Sequence, residues 1–365
     1  MDFSLSEEQQ ATGELARQIF GDRCTHEHLR TLERSGAPRF DRELWSALAD
    51  AGLLGIAVPE AHGGAGLGML ELAQILEAAG RHAAPVPLWE TLALGALPLA
   101  RYGSDDLASA WLPRVADGSV VLTTAWQEDD GGGGHDVTTT ATADGAGFRL
   151  DGAKVCVPAA QIADAVLVEA AGPDGPGLYL VEVGEGVEVI PASTTAGSPT
   201  GHLHLAGVPA ALVCSGESAV RWAFERAVGT QCALALGHAE AMLDLLSAYT
   251  KERKQFDVPI ASFQAVGHRA ADSYIDTEAI RLTTLQAVSR LHEDLPATVE
   301  VSVAKYWVAW SGQRITLAAA HLHGGVGADR DYPLARHFTA MKELELDLGG
   351  ATQHLLRVGA ELAAG

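Results

Sequence analysis

The stretch KERKQFDVPIASFQAVGHR, residues 251–269, gathers groups that could hold a phosphate-rich ligand. Lys251, Arg253 and Lys254 cluster in a chain whose formal net charge is −22, and an aromatic, Phe256, follows them directly. A guanidinium grips phosphate oxygens with paired, charge-assisted hydrogen bonds. The same cations would also suit a solvated helix end, where they meet the carbonyl pole of the helix dipole. A second stretch, HLHGG (321–325), places Gly324 and Gly325 where backbone could approach a ligand without side-chain interference, or where a helix simply ends. Proton-transfer chemistry would need a carboxylate within reach of a carbon acid. The 14 histidines include His202 and His204, alternating on a predicted strand, and carry no Cys/Asp/Glu spacing that would make a metal site. The four cysteines are scattered and form no CxxC pair, which fits neither a disulfide nor a zinc framework.

Composition bounds the rest. With 365 residues, 47% of them apolar, the chain can bury a large core over two or three domains. The acidic balance disfavours nucleic acid as a partner. No apolar run is long enough to span a bilayer, and no basic-then-apolar leader opens the sequence, so a cytoplasmic protein is expected. Neither a GxGxxG after a strand nor a P-loop lysine motif occurs.

Three textures follow one another. Helical spacing of Leu44, Leu48 and Leu53, and of Leu72, Ile75 and Leu76, predicts a helical N-terminal domain over 1–118. Short β-branched runs parted by Gly, Asp and Pro predict a small antiparallel barrel or sandwich over 119–215. Long helices at Glu217–Phe256, Ser262–Leu291 with Ser262 as N-cap, Thr298–His321 and Leu334–Leu362 predict a bundle over 216–365.

On four stretches, GLLGIAVPEAHGGAGLG (52–68), FRLDGAKVCVPAA (148–160), residues 251–272 and HLHGGVGADRDYPLARHF (321–338), the chain resembles the acyl-CoA dehydrogenase family. The resemblance implies a mostly α fold with a β middle domain: N-terminal helices, a middle β-barrel and a C-terminal four-helix bundle. It implies FAD as cofactor and 2,3-desaturation of acyl-CoA thioesters. It assigns Arg253, Gln255, Phe256, Gln264, His321, Gly324 and Gly325 to the adenosine side of FAD, reaching across to a neighbouring subunit's flavin. Asp257 replaces the family's Gly, and His321 its Gln. In the barrel, Gln127 replaces a Thr, Cys156 the ring-packing Trp and Pro158 a hydroxyl donor, and Gly131–Gly134 replaces an ordered turn. The two positions of the family's catalytic Glu fall on Ala227 and Leu348, leaving Asp347 as a fallback.

The resemblance is strongest to non-base subunits of heteromeric, α2β2, steroid-degrading members. It implies a homologous catalytic partner subunit, an acyl-CoA substrate and electron-transfer flavoprotein as acceptor. A self-sufficient homo-oligomer using Asp347 or Glu225, and a flavin-free scaffold, are the competing readings.

Overall fold

The structure is a computed structural model that describes residues 5–129 and 137–364; the Gly131–Gly134 run lies outside the described residues. The helices are α1 (Glu7–Arg23), α2 (His26–Glu33), α3 (Arg42–Asp50), α4 (Met69–Arg81), α5 (Leu97–Tyr102), α6 (Asp105–Ala116), α7 (Glu217–Glu252), α8 (Gln264–His292), α9 (Thr298–His323), α10 (Leu334–Leu346) and α11 (Ala351–Ala364). The strands are β1 (Leu122–Ala125), β2 (Thr140–Asp144), β3 (Gly147–Val157), β4 (Ala165–Gly172), β5 (Gly175–Glu182), β6 (Val187–Pro191), β7 (Gly201–Ser215), β8 (Lys254–Gln255) and β9 (Val258–Pro259). The chain divides into two compact units. One takes the chain up to Thr31, Ala73–Ala84 and everything from Val228 onward; the other takes Leu32–Leu72 and Pro85–Ala227.

The second unit carries the barrel. Its strands pair in a ring, β4 to β2, β2 to β3, β3 to β7, β7 to β5 and β5 back to β4, with β1 added alongside β4 and β6 alongside β7. Closure removes the open edges that would otherwise invite pairing with other chains. The expected all-antiparallel pattern needs correction: β1 and β4 are parallel, as are β2 and β4 where Thr140 meets Ala171. Ala165–Val168 of β4 are all buried, so the apolar run AVLV lies covered on both faces, as an internal strand requires. A buried ion pair pins the barrel wall. Lys154 Nζ, fully buried, lies 2.7 Å from Glu128 Oε1. Glu128 also accepts from the backbone of Thr138 and Thr139 and from the Thr138 hydroxyl. Burial alone would raise its carboxyl, yet those bonds and Lys154 hold it well below the usual carboxylate range.

Ahead of the barrel, Trp89–Ala96 forms a π-helix, a rare geometry that periodicity does not distinguish from an α-helix. Pro98 helps to explain its local bonding, because it offers no N–H to the carbonyl of Leu94. The Thr124 hydroxyl on β1 donates to that carbonyl instead, at 2.8 Å.

The first unit is helical. Here α4 and α7 cross with backbone against backbone. A Cβ on Gly80 would overlap the carbonyl of Leu234, and one on Gly237 would overlap the carbonyl of Glu77. Beside this crossing, Arg81 of α4 bridges Glu240 and Asp244 of α7, and Arg281 of α8 bridges Glu240. Glu77 lies among these charges. Burial, then the neighbouring Glu240, push its carboxyl up to about 7 against the pull of Arg281, Arg17 and Arg81.

Gly237→Ala should lower the thermal midpoint, because overpacking against backbone costs about 1–3 kcal/mol or more and outweighs a helix-propensity gain of about 1 kcal/mol. Gly359→Ala in α11, where nothing lies within 4 Å of the added carbon, should raise it. For Glu77, the folded state holds the extra proton between the ordinary carboxylate range and about pH 7. Its contribution is therefore full below that range and lost as pH rises through about 7. Glu77→Gln should flatten this loss and raise the midpoint at pH 8, as read by thermal melts across pH 5–8.

Candidate functional site

Four of the predicted ligand-gripping residues, Arg253, Gln255, Phe256 and Gln264, lie where α7 ends and α8 begins. The helix ends at Glu252 rather than Phe256, because the chain then turns back in a two-stranded hairpin, β8 against β9. The turn residues Phe256 (φ 52°) and Asp257 (φ 65°) both take left-handed backbone. Such conformations are costly for most side chains, but Asp tolerates them and double positive φ suits the right-handed twist of a tight hairpin. Asp257 thus keeps the turn that the family's Gly would make. Phe256 projects from it with 89% of its surface exposed and meets Phe263 edge to face, centroids 6.2 Å apart. Arg253 and Gln255 are exposed, and the Arg253 carbonyl accepts from Ile260 N at 2.8 Å, closing the loop. Gln264 opens α8, also exposed. The expectation of Ser262 as N-cap is wrong. Phe263 occupies that position, and the Ser262 hydroxyl donates to the Pro259 carbonyl at 2.7 Å, so it is already committed.

At the far end of α9, Gly324 takes φ 62°, ψ −136°, a backbone region close to glycine-only. It ends the helix and donates to the His321 carbonyl. Gly324 and Gly325 are exposed, with open space where a side chain would stand. The helix runs two residues beyond the predicted end, so His321 lies on it. His321 Nδ1 contacts an Arg269 guanidinium nitrogen on α8. His323, buried, stacks on Tyr249 with centroids 4.5 Å apart and bonds the Ala319 carbonyl.

The two positions that the resemblance gives to the family's catalytic Glu hold Ala227 and Leu348. Ala227 is fully buried, and its carbonyl accepts from the Trp89 indole at 3.0 Å. The preceding residue, Arg226, is buried with its guanidinium 3.7 Å from the Trp222 ring, which meets Tyr102 edge to face. Glu225 is half-buried on the same helix, two residues and about 200° away from Ala227. Leu348 sits in the link between α10 and α11 with φ 55°, and its carbonyl accepts from His354 Nε2 at 3.0 Å. His354 is fully buried, and burial pushes its imidazole down to about 3.

Asp347 is bonded inward. One carboxyl oxygen accepts from Leu348 N at 3.0 Å and the other from Gln231 Nε2 at 2.7 Å. Gln231 Oε1 in turn accepts from the ammonium of fully buried Lys305 at 2.6 Å, and Lys305 also donates to the Leu344 carbonyl. Burial raises the Asp347 carboxyl, with Lys305, Leu348 N and Gln231 pulling it back. Burial likewise lowers the Lys305 ammonium, against the pull of Cys232, Asp347 and Glu345. This network joining α7, α9 and α10 escaped sequence reading, though a lone Lys on the apolar stripe Val301, Ala304, Val308, Gly312 was its signal.

In the barrel, Cys156 stands in an irregularity where β3 slips against β7, with φ 51°. Its N–H donates to His202 Nδ1 at 3.2 Å, and the Gln127 carbonyl accepts from Val155 N at 2.9 Å.

Family models match most of the chain: the acyl-CoA dehydrogenase N-terminal domain over residues 6–119 and the acyl-CoA dehydrogenase C-terminal domain over 215–363. The chain belongs to the acyl-CoA dehydrogenase family. It is 41% identical over 374 residues to acyl-CoA dehydrogenase FadE27 of Mycobacterium tuberculosis, spanning 100% of this chain and 99% of the relative. Among solved structures it is similar to a chain of the ChsE4–ChsE5 complex from Mycobacterium tuberculosis, with TM-score 0.94, 40% identity and 100% of both chains covered. A chain of the Tcur3481–Tcur3483 steroid ACAD variant gives TM-score 0.94 at 44% identity, covering 99% of this chain and 100% of that one.

FAD is the cofactor of acyl-CoA dehydrogenases, and its fit to this chain differs between the two units. Exposed Arg253, Phe256 and Gln264, with the bare backbone of Gly324 and Gly325, suit a phosphate-rich, aromatic ligand. In the barrel, the resemblance gives the positions of Cys156 and Pro158 to the flavin ring. The Cys156 N–H is committed, Pro158 has no N–H, and neither carries the aromatic or hydroxyl group that the ring would use.

The Asp347 network makes a thermodynamic prediction. Asp347→Asn and Lys305→Met should each destabilise the fold by about 1–3 kcal/mol, since each leaves buried polar partners unsatisfied. Because the two act in one network, a double-mutant cycle in urea should return a coupling of about 0.5 kcal/mol or more. Strict additivity would detach Asp347 from Lys305.

Proposed function

We propose that this chain is the non-base subunit of a heteromeric acyl-CoA dehydrogenase and supplies the adenosine-side grip on FAD to a homologous catalytic partner. One observation carries the reading. The two positions open to a catalytic Glu hold Ala227, fully buried with its carbonyl accepting from the Trp89 indole, and Leu348, and the neighbouring carboxylate of Asp347 is bonded to Gln231 and Leu348 N. Meanwhile Arg253, Phe256 and Gln264 face outward. Two further points support it. Both solved relatives named above are complexes of two named chains, one of them a steroid ACAD. Among the described residues, large exposed apolar side chains fall almost wholly on the helical unit, including Ile275, Leu282, Trp310, Leu317, Leu356 and Leu362. Such concentration marks a surface that another chain covers.

On this reading the partner supplies the flavin cradle and the Glu that takes the α-proton, while FAD accepts the β-hydride. This chain's part is to bind and orient. The substrate is an acyl-CoA thioester, with a steroid-derived acyl group favoured by the relatives, and electron-transfer flavoprotein is the proposed acceptor. No helix among the described residues is long and apolar enough to cross a membrane.

Arg253→Ala should lower FAD retained per heteromer after gel filtration about tenfold to a hundredfold, with assembly intact. That matches the loss of about 1.5–3 kcal/mol when a charged hydrogen bond is removed. Arg253→Lys should recover part of it, because an ammonium keeps the charge without the planar fork, and Lys251→Ala should change little. Unchanged retention in Arg253→Ala would return the stretch to a solvated helix end. Ala227→Glu should restore no activity to the isolated chain, since the added carboxyl enters a sealed, buried position.

A further inference from the structure

The contact between Arg269 on α8 and His321 on α9 brings together two groups that carry or can carry positive charge. Both are exposed, and His321 stands three residues before the bare backbone of Gly324 and Gly325. A guanidinium has five N–H donors and no acceptor, so its partner atom must accept. Donation from Arg269 requires His321 Nδ1 to be the lone-pair nitrogen, with the ring proton on Nε2, at the opposite edge of the imidazole. The alternative, a proton on Nδ1, would set two donors against each other and place like charges in contact if the ring were cationic.

We propose that Arg269 is a positioning residue that fixes His321 in the Nε2–H form, so that His321 presents one outward N–H donor to a phosphate-bearing ligand at the Gly324–Gly325 backbone. An amide side chain always has an N–H to donate; an imidazole donates from Nε2 only in one tautomer. The chain thus replaces a Gln donor with a two-residue device, and Arg269 acts through His321 rather than on the ligand. The ligand, FAD, rests on the reading above; the tautomer does not.

The experiment has two arms. In the first, the chain alone, labelled with 15N-histidine, is examined by two-bond 15N–1H correlation at neutral pH, with His321 assigned by its disappearance in His321→Gln. We expect a pyridine-type Nδ1 and a pyrrole-type Nε2 in the wild type, a tautomer mixture in Arg269→Leu, and the wild-type pattern largely kept in Arg269→Lys, which retains a donor. A protonated Nδ1 in the wild type, or a spectrum unmoved by Arg269→Leu, overturns the proposal. In the second arm, FAD retained by the heteromer is measured in a mutant cycle. Arg269→Leu should lower retention about threefold to tenfold, the range for one hydrogen bond. In the His321→Gln background the same substitution should change nothing, because the amide needs no tautomer set for it. An equal loss in both backgrounds would mean that Arg269 touches the ligand itself and would overturn its role through His321. If Arg253→Ala also leaves retention unchanged, the FAD reading fails, while the first arm still decides the tautomer.

Discussion

A buried ammonium must be surrounded by acceptors, and meeting that requirement at Lys305 decides much about this molecule. Taking such an ion out of water costs several kcal/mol unless its donors are met. Lys305 is met by the Gln231 side-chain oxygen and the Leu344 carbonyl, and Gln231 passes its own amide donor to Asp347. Three helices, α7, α9 and α10, are tied by one chain of bonds. The same chain fixes the link after α10, where Leu348 takes left-handed backbone and Asp347 accepts from its N–H. The carboxylate nearest a base position is in this way committed to structure. A proton-abstracting base must be free to face its substrate, and both Asp347 oxygens already have partners.

Outward-facing and inward-facing chemistry thus fall on different residues of the sequence. What could grip a ligand lies at helix ends and on a two-residue hairpin, with side chains in solvent. Where the resemblance puts the proton-transferring Glu stand Ala227, buried with its carbonyl accepting from the Trp89 indole, and Leu348, in a turn. In the barrel, the wall is held by the Glu128–Lys154 pair, while the positions that the resemblance gives to the flavin ring carry a thiol on a residue with φ 51° and a proline.

Much of the fold was legible because periodicity and breakers agree. The long bundle helices follow from apolar stripes interrupted at Asp257-Val258-Pro259, Asp294-Leu295-Pro296 and Gly349-Gly350. Errors arose where a side chain had a local alternative. Ser262 has the chemistry of an N-cap but spends its hydroxyl on Pro259, and α7 stops four residues early because Phe256 and Asp257 adopt positive φ. The parallel pairings of β1 and β2 with β4 were invisible, since strand order depends on long-range closure rather than on any one strand. The π-helix at Trp89–Ala96 has the composition of an ordinary helix. At the candidate site, sequence indicated which residues might matter but not their commitments. Arg226 against Trp222, Gln231 between Lys305 and Asp347, and Arg269 on His321 are pairings between residues 4 to 116 positions apart.

The central claim is that this chain contributes to FAD binding without carrying a complete active site. The most direct test is the flavin absorbance of the purified chain, alone and after reconstitution with a homologous subunit that carries the catalytic Glu, with acyl-CoA turnover measured on the same samples. The account predicts a colourless, inactive chain alone and one FAD per pair of chains with activity on reconstitution. A chain that alone retains a full equivalent of FAD and turns over acyl-CoA would contradict it.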